Sequence, residues 1–567
     1  MGSVVRRRDQ VTMFLVLAMV MLITLSSLAT AQWRSSLYPE DWTPGYRDQE
    51  GRFLHDFSYA GYHMGEVNIP TDPCGAVIDV TQAPYRADHT GVLNATAAIQ
   101  AAIDAAGAAG GGIVYLPPGT YRIKPPSGAD HALSISRSGV VLRGAGPAET
   151  FLFNDETYMR YKSVIRVAPS GWTGWHAPVP NTVVKIARDV GYPTHVIPVV
   201  STMTQDGRFP TPRFQKGDWV VLRADCTEDF IAEHGMSGLW NASLMGVTFY
   251  RRVTAVDTND NTITVDIPTR YYLKTRDNAR VYQVPPHLEE VGVEGLSIGM
   301  RENLTFGMGD TDYDTSGTAA YEVHYCHCIE FLHVVDGWIQ NVETYRPSVN
   351  TNDWHRLSDG MLLEQCRNIT VRGCVVAKPQ YEGGGGNGYG YSLSGSDCLL
   401  VDCNSFHGRH NYNLKCMWTT GNVVLNCITR DSRLANDFHR HLSPANLIDS
   451  MVVDGGFLEA RYRASGTVLH GHSTTESVFW NTYGTARCSK KVVVSRQWKW
   501  GYVIGTAGPV FGVQRGIQDN TAPEDFLEGE GQGETLMPQS LYLDQLLHRR
   551  AAGLDWSTPV NAADCGG

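Results

Sequence analysis

Short apolar strands recur along the second half of the chain, and each ends at a comparable point in its repeat. The strand ends are spaced 32, 29, 24, 24 and 31 residues apart. A repeat of this size is typical of one coil of a parallel β-helix, where each coil stacks on the previous one and buries like side chains on like. The repeated strands are Trp338–Val342, Ile369–Cys374, Leu399–Cys403, Val423–Cys427, Leu447–Met451 and Val478–Thr482.

An amphipathic helix is predicted before the first strands. Within residues 94–104, apolar side chains recur at helical spacing at Ala98, Ile99, Ala102 and Ile103. A run of three glycines then ends the helix, and a buried strand and a Pro-Pro-Gly turn follow.

The order of these elements resembles a known family. A short helix, Gly110–Gly112, and then Ile113–Tyr121 (IVYLPPGTY) resemble the opening signature of the pectate lyase-like superfamily. The resemblance implies an all-β, right-handed parallel β-helix whose open end is capped by the helix. Residues Asn94–Thr96 depart from the usual motif, in which an Asp pair precedes the threonine.

The N-terminus predicts a cleaved signal peptide over residues 1–31. Three arginines, Arg6 to Arg8, precede an almost continuously apolar run from Met13 to Leu28, and Ala29-Thr30-Ala31 fits signal peptidase cleavage before Gln32. An uncleaved membrane anchor is the alternative. We therefore expect a secreted protein, extracellular or periplasmic, that has no membrane partner after cleavage.

The remaining chain divides by pattern. Residues around 150–285 interrupt the repeat with a hairpin pattern at 253–266, which indicates an inserted small β-subdomain. The predicted divisions are an irregular extension along the first coils at 32–79, the β-helix opening and capping helix at 80–149, the β-subdomain at 150–285, the main coils at 286–515, and a tail with a short helix at 516–567.

Composition narrows the class of partner. The net charge is −11 and no basic stripe stands out, so a nucleic-acid partner is not expected. The twelve cysteines are compatible with disulfides in an oxidising compartment. Several of them lie in apolar strands, however, and Cys374, Cys403 and Cys427 are predicted to form an internal ladder of thiols. We expect a monomer.

Lysine, arginine and histidine concentrate on three consecutive coils. Equal offsets from the strand ends predict that Lys415, His439 and His470 stack in one column. Like charges one β-rung apart favour loss of a proton, and a general base near neutral pH needs a lowered pKa. These three are the candidate bases. Arg433 or Arg440 is the candidate for neutralising a carboxylate, and Tyr412 or Tyr462 is the candidate acid.

The neighbouring cations are candidates for binding an acidic polysaccharide through its carboxylates. They are Arg409, His410, Arg440, His441, Arg461, Arg463 and His472. Together with the catalytic candidates they predict a polysaccharide lyase that cleaves a uronate-containing chain by β-elimination, or a mechanistically related epimerase.

Two other functions stay open. A glycoside hydrolase would use two carboxylates from the same coils, among them Asp437 and Glu459. A non-catalytic carbohydrate-binding β-helix protein is the third hypothesis. No cofactor is required, and Ca²⁺ is the one candidate ion, because Asp310, Asp312 and Asp314 place carboxylates on alternate residues; a solvated acidic turn is the competing interpretation.

Overall fold

The computed structural model describes residues 31–73, 75–204, 210–463, 470–516 and 523–552. Apart from Ala31, the predicted signal peptide lies outside these residues. No helix in the described ranges is both long and apolar enough to cross a membrane. The described chain is predominantly β-structure, as predicted.

Two long parallel sheets form the coils of a β-helix. Equivalent residues pair from coil to coil, so that Val371 lies beside Leu400, then Val424, Ile448 and Phe479. The first sheet contains Ala76–Asp79, Thr90–Asn94, Gly112–Leu116, Gly119–Ile123, Val140–Gly144, Thr150–Asn154, Gly292–Met300, Trp338–Thr344, Thr370–Arg372, Val375–Ala377, Leu399–Val401, Asn404–Phe406, Val423–Leu425, Ile428–Arg430, Leu447–Asp449, Val452–Asp454, Val478–Gly484, Tyr502–Ala507 and Phe526–Glu528.

The second sheet carries the candidate site. Its strands are parallel except Gly471–His472, which returns antiparallel to its neighbour. They are His131–Ile135, Ser163–Val167, Leu288–Glu289, His327–Leu332, Val334–Val335, Asp359–Arg367, Tyr389–Ser396, His410–Lys415, Asn436–Arg440, Leu458–Arg463, Gly471–His472, Val493–Arg496 and Val513–Arg515. A further two-stranded sheet pairs Ser443–Pro444 with Thr474–Thr475.

The predicted thiol ladder is confirmed. Because Val375 pairs with Asn404 and Asn404 with Ile428, the preceding residues Cys374, Cys403 and Cys427 fall at one position of successive coils. All three are fully buried. The ten cysteines in the described ranges are free thiols, so they fill the core as small apolar side chains.

The helix Thr96–Ala108 covers the first coils, as predicted. It buries Ile99, Ala102, Ile103 and Ala106 in the main core of the β-helix. The other helices are short, at Glu228–Glu233, Ala319–Val323 and Leu541–Ala551, with single 3₁₀ turns at Tyr62–Gly65, Thr275–Asp277, Asp312–Asp314 and Gly533–Thr535.

A six-stranded antiparallel sheet forms the predicted inserted β-subdomain. Its strands are Val184–Lys185, Val196–Pro198, Trp219–Arg223, Thr248–Asp257, Thr262–Val265 and Arg280–Tyr282. The subdomain core is continuous with Met417, Leu442 and Tyr462 of the coils. It therefore packs directly on the coils that carry the candidate site.

The N-terminal extension follows the first coils only in part. Tyr62 and Ile69 pack with Ile113 and Val141 of the first coils, as predicted. Leu37, Trp42 and Phe57 instead pack with the helix Leu541–Ala551 on later coils, against Leu399 and Val423. Leu399 and Val423 are apolar residues on the outer face of the first sheet. Their burial stabilises the packing of the N-terminal extension and the helix Leu541–Ala551 on this sheet.

Candidate active site

A cavity of about 660 Å³ opens on the outer face of the second sheet, a volume in the range of small-ligand sites. The strands His410–Lys415, Asn436–Arg440 and Leu458–Arg463 supply most of its charged side chains. Nine of the thirteen catalytic and binding residues predicted from the sequence line it: Arg409, His410, Lys415, Arg433, His439, Arg440, Arg461, Arg463 and His470.

The predicted column has a different register. Lys415 pairs with Arg440 rather than His439, because an irregularity in the pairing shifts the register after Leu414. His470 is not on a coil strand; it precedes Gly471–His472, the antiparallel return. The side chains converge nevertheless, and the Nε2 atoms of His470 and His439 are 3.2 Å apart.

Four predicted residues do not line the cavity. Tyr412 alternates inward along its strand, so its hydroxyl donates to the carbonyl of Cys403 at 2.7 Å inside the core. Tyr462 and His472 are buried against the β-subdomain, where His472 Nε2 lies 3.1 Å from the carbonyl of His234. His441 follows the end of its strand with a positive φ and is also buried. The assignment of Tyr412 as the acid is therefore wrong on geometry.

The cavity is strongly cationic. Among the described residues that line it, six are lysine or arginine, namely Arg409, Lys415, Arg433, Arg440, Arg461 and Arg463, and one is acidic, Glu459. The buried Nε atoms of Arg409, Arg440 and Arg463 have no hydrogen-bond partner among the described residues. Buried donors are normally satisfied, so these guanidinium groups indicate an anionic ligand.

A buried carboxylate fixes one of the histidines. The carboxylate of Asp437 accepts from Asn413 Nδ2 at 2.8 Å and from Arg463 Nη2 at 2.5 Å, and it lies 2.9 Å from His439 Nδ1. Burial opposes the charge on Asp437, but His410, Arg463 and His439 hold its pKa well below the usual range. The carboxylate therefore stays ionised and holds the Nδ1 proton of His439, which leaves Nε2 as the basic nitrogen.

Burial is also the largest effect on His439 itself. Together with Arg463 and His410 it outweighs Asp437 and lowers the pKa of His439 to about 3. The imidazole is consequently neutral at neutral pH, and its Nε2 has a lone pair that can accept a proton.

The predicted role of Lys415 as a base is wrong. We predicted a lysine that loses its proton easily; burial acts in that direction, but Tyr325 and Glu364 outweigh it and raise the pKa of Lys415. Its ammonium lies 5.7 Å from the centre of the Tyr325 ring. Lys415 is therefore a cation and a proton donor rather than a base.

Aromatic wall residues were missed in the sequence. Tyr313, Tyr325, Tyr389 and Phe457 line the cavity. Burial raises the pKa of Tyr389 to about 12, so its hydroxyl is protonated at neutral pH. Tyr389 pairs in register with His410 of the next coil, so an alignment of these two coils in the sequence would have placed it beside a predicted site residue.

Tyr325 occupies an unusual backbone conformation. Its φ is +54°, which is uncommon for an aromatic residue, and its backbone N–H donates to the buried amide oxygen of Asn387 at 2.8 Å. Backbone strain of this kind concentrates at functional sites.

The acidic turn is engaged in protein contacts. Asp310 pairs with Arg433 at 2.8 Å, and Asp312 accepts from the N–H of Gly309 at 2.6 Å. With Asp314 they do not form a close three-ligand group in the described ranges. Binding of Ca²⁺ there stays a prediction.

Another group does have metal-like spacing. The ligand atoms of His410, Asp437 and His439 lie within 4.8 Å of one another. Asp437, however, already accepts from Arg463 and Asn413, and a cation would meet the surrounding guanidinium charge. The residues present do not fit a metal ion.

Comparison with known proteins supports the fold assignment. Residues 79–190 match the family described as "Rhamnogalacturonase A/epimerase, pectate lyase-like", and this range includes the opening signature. The resemblance to the pectate lyase-like superfamily is thereby confirmed.

The similarity to individual relatives is local. The chain is 50% identical to mannuronan C5-epimerase AlgE6 of Azotobacter vinelandii over 75 residues, which is 13% of this chain and 9% of the relative. It is 47% identical to alginate lyase 7 of the same organism over 68 residues, which is 12% and 8% of the two chains. The matches therefore span less than a tenth of these relatives' length.

Solved structures are similar at low identity. The A-module of AlgE6 matches with a TM-score of 0.35 and 15% identity, covering 79% of each chain. ORF18 of Geobacillus virus E2 matches with a TM-score of 0.42 and 12% identity, covering 81% of this chain and 62% of that one.

Proposed function

We propose that this protein modifies a uronate-containing polysaccharide by removing the proton at C5 of a sugar unit. The observation that carries the proposal is the cationic cavity around the pair His439 and His470, in which the described lining residues include six lysine or arginine side chains and one carboxylate. Two of the relatives, a mannuronan C5-epimerase and an alginate lyase, support the same class of substrate.

The arginines have the chemistry to bind the uronate carboxylate. Charge-assisted hydrogen bonds from Arg409, Arg440 or Arg463 would satisfy their unpartnered Nε atoms and withdraw charge from the carboxylate. A neutralised carboxylate makes the adjacent C5 proton more acidic. A bound carboxylate would also offset part of the positive charge of Arg463, which contributes to the lowered pKa of His439.

Proton transfer then follows from the protonation states. The His439–His470 pair takes the C5 proton, while Lys415 and Tyr389 each hold a proton that can be donated. If the donated proton goes to O4 as the C4–O4 bond breaks, a C4–C5 double bond forms and the reaction is a β-elimination. If a proton returns to C5 on the opposite face, the reaction is an epimerisation.

Hydrolysis is less well supported. A glycoside hydrolase of the common type needs two carboxyl groups beside the scissile bond. Within the described ranges one carboxylate, Glu459, lines the cavity, and it is paired with Arg461 and Arg463. We therefore place proton abstraction ahead of hydrolysis, and we propose that it occurs outside the cytoplasm, consistent with the predicted signal peptide.

The test is incubation of the full chain with separate polyuronates in D₂O. Proton abstraction predicts either ultraviolet absorbance from an unsaturated product or deuterium at C5 detected by NMR. Carboxyl-reduced polymers serve as the substrate control. His439→Ala should abolish both signals, whereas His407→Ala, at an exposed histidine outside the cavity, should not. Release of reducing ends with neither signal would refute the proposal.

A further inference from the structure

The candidate site depends on a segment that leaves the coils. His470 precedes Gly471–His472, which pairs antiparallel with Leu458–Arg463; Gly471 lies opposite Arg463 and His472 opposite Tyr462. The coils hold this returning segment through its backbone, since the N–H of His441 donates to the carbonyl of His470 at 3.5 Å and the N–H of Leu442 donates to the carbonyl of His472 at 2.8 Å. A second part of the molecule also contacts the segment.

The β-subdomain contacts the returning segment on both sides of Gly471 through side-chain hydrogen bonds. The indole N–H of Trp240 donates to the backbone carbonyl of His470 at 3.1 Å in a buried setting. His472 Nε2 lies 3.1 Å from the carbonyl of His234. The residues on either side of Gly471 are thus bound to the subdomain through side-chain hydrogen bonds.

Gly471 reports how close the contact is. A Cβ at this position would lie 2.6 Å from Trp240 Nε1 and from Met236 Sδ, and the φ of Gly471 is +63°. A side chain at this position would therefore overlap the subdomain and strain the backbone. The returning segment therefore packs directly against Met236 and Trp240 of the subdomain, next to His470.

The subdomain is in turn fixed to the coils. Arg251 and Arg270 of the subdomain both pair with Asp397 of the coils, and Arg367 of the coils pairs with Asp266 of the subdomain. All five side chains are buried. A subdomain attached in this way is suited to fixing a geometry, whereas a flexible appendage would be held by fewer and more exposed contacts.

We infer that the inserted β-subdomain completes the active site, with Trp240 acting as a positioning residue that holds His470 against His439. The inference rests on the proposed function for its catalytic meaning, but the contact itself is independent of the substrate. Trp240 is not among the described residues that line the cavity, and it acts through the backbone carbonyl of His470.

The test replaces one donor and keeps the packing. Trp240→Phe retains an aromatic wall and removes the indole N–H, and Trp219→Phe is the matched control in the same subdomain, away from His470. Trp240→Phe should lower kcat about tenfold, as the loss of one buried hydrogen bond allows, with KM changed by less than about twofold. The acid limb of the pH–rate profile should also shift, while Trp219→Phe leaves it in place.

A second variant and a second readout separate the outcomes. Gly471→Ala should displace the same segment and give the same kinetic change. NMR of ring-labelled histidine should show altered His439 and His470 signals in Trp240→Phe and unaltered signals in Trp219→Phe, whatever the substrate is. If the parent protein processes no uronate but these signals move, the proposed function fails and the positioning role stands. Unmoved signals with parental kcat and pH profile in Trp240→Phe would overturn the inference.

Discussion

The attachment of the β-subdomain through Asp397 gives the sharpest prediction about stability. The Asp397 carboxylate lies 3.2 Å from Arg251 Nη1 and 3.0 Å from Arg270 Nη2, and all three side chains are at most 1% exposed. Burial already lowers the pKa of Arg251 to about 10, although Asp397 counteracts it. Asp397→Asn would therefore leave two buried guanidinium groups without their shared counter-charge.

The size of the effect follows from what remains. Removing one partner of a buried ion pair costs about 3–5 kcal/mol. The asparagine keeps one oxygen acceptor, and Arg251 keeps the carbonyls of Ile267 and Tyr250 at 2.9 Å. We therefore expect the lower end of that range, about 3 kcal/mol in the free energy of unfolding of the subdomain contact.

The assay must detect local loosening. Urea unfolding followed by tryptophan fluorescence should be combined with limited proteolysis of residues 184–282, because a chain of this size need not unfold in one step. Asp402→Asn is the matched control, since Asp402 is an exposed aspartate with φ +55°, close to the +52° of Asp397. Asparagine tolerates that backbone region.

The control should change stability by less than about 0.5 kcal/mol, as is usual for surface positions. A loss below about 1 kcal/mol in Asp397→Asn, or equal losses in the two variants, would refute the view that buried charge pairing holds the subdomain.

Further predictions concern the cavity and acid sensitivity. Arg409→Gln should raise KM for a uronate polymer about 10- to 100-fold, the value of a lost charged hydrogen bond, whereas Arg430→Gln, at an exposed arginine of the first sheet that pairs with Asp454, should not. Asp437→Asn should lower kcat about 10³-fold or more with little change in KM, because the Nδ1 proton of His439 loses its acceptor; parental kcat would contradict this role. Burial lowers the pKa of His234 to about 4 and that of His472 to about 3, so protonation favours the unfolded chain; the stability that these neutral rings provide is complete above about pH 6.5 and should fall progressively down to about pH 3, measured as Tm against pH. Chelation of divalent ions with EDTA should leave activity unchanged. A loss of activity that Ca²⁺ alone restores would support the prediction that Ca²⁺ binds at the acidic turn.

Much of the fold was predictable from the sequence because the β-helix is built from a local repeat. Each coil buries the same positions as the coil before it, so Cys374, Cys403 and Cys427 could be aligned without coordinates, and the structure stacks them in register. The capping helix and the inserted β-subdomain were also predictable, since helical periodicity and hairpin turns depend on nearby residues.

The cationic character of the site was predictable for the same reason. Arg409 and Lys415 belong to one coil and His439 to the next, and a nearly constant pitch brings consecutive coils together. The exact register was not predictable, because one irregularity after Leu414 moves Lys415 opposite Arg440. A one-residue shift of this kind leaves no mark in the spacing of apolar strands.

The remote segments that complete the cavity are seen only in the tertiary structure. Tyr325 and Tyr389 come from earlier coils, and His470 comes from a segment anchored by Trp240, 230 residues away in the chain. Such contacts depend on how loops and an inserted sheet pack, and no local periodicity encodes that packing. Local periodicity in the sequence thus specifies a repeating β-helix with a row of cations, while long-range packing forms the cavity and brings His439 and His470 together.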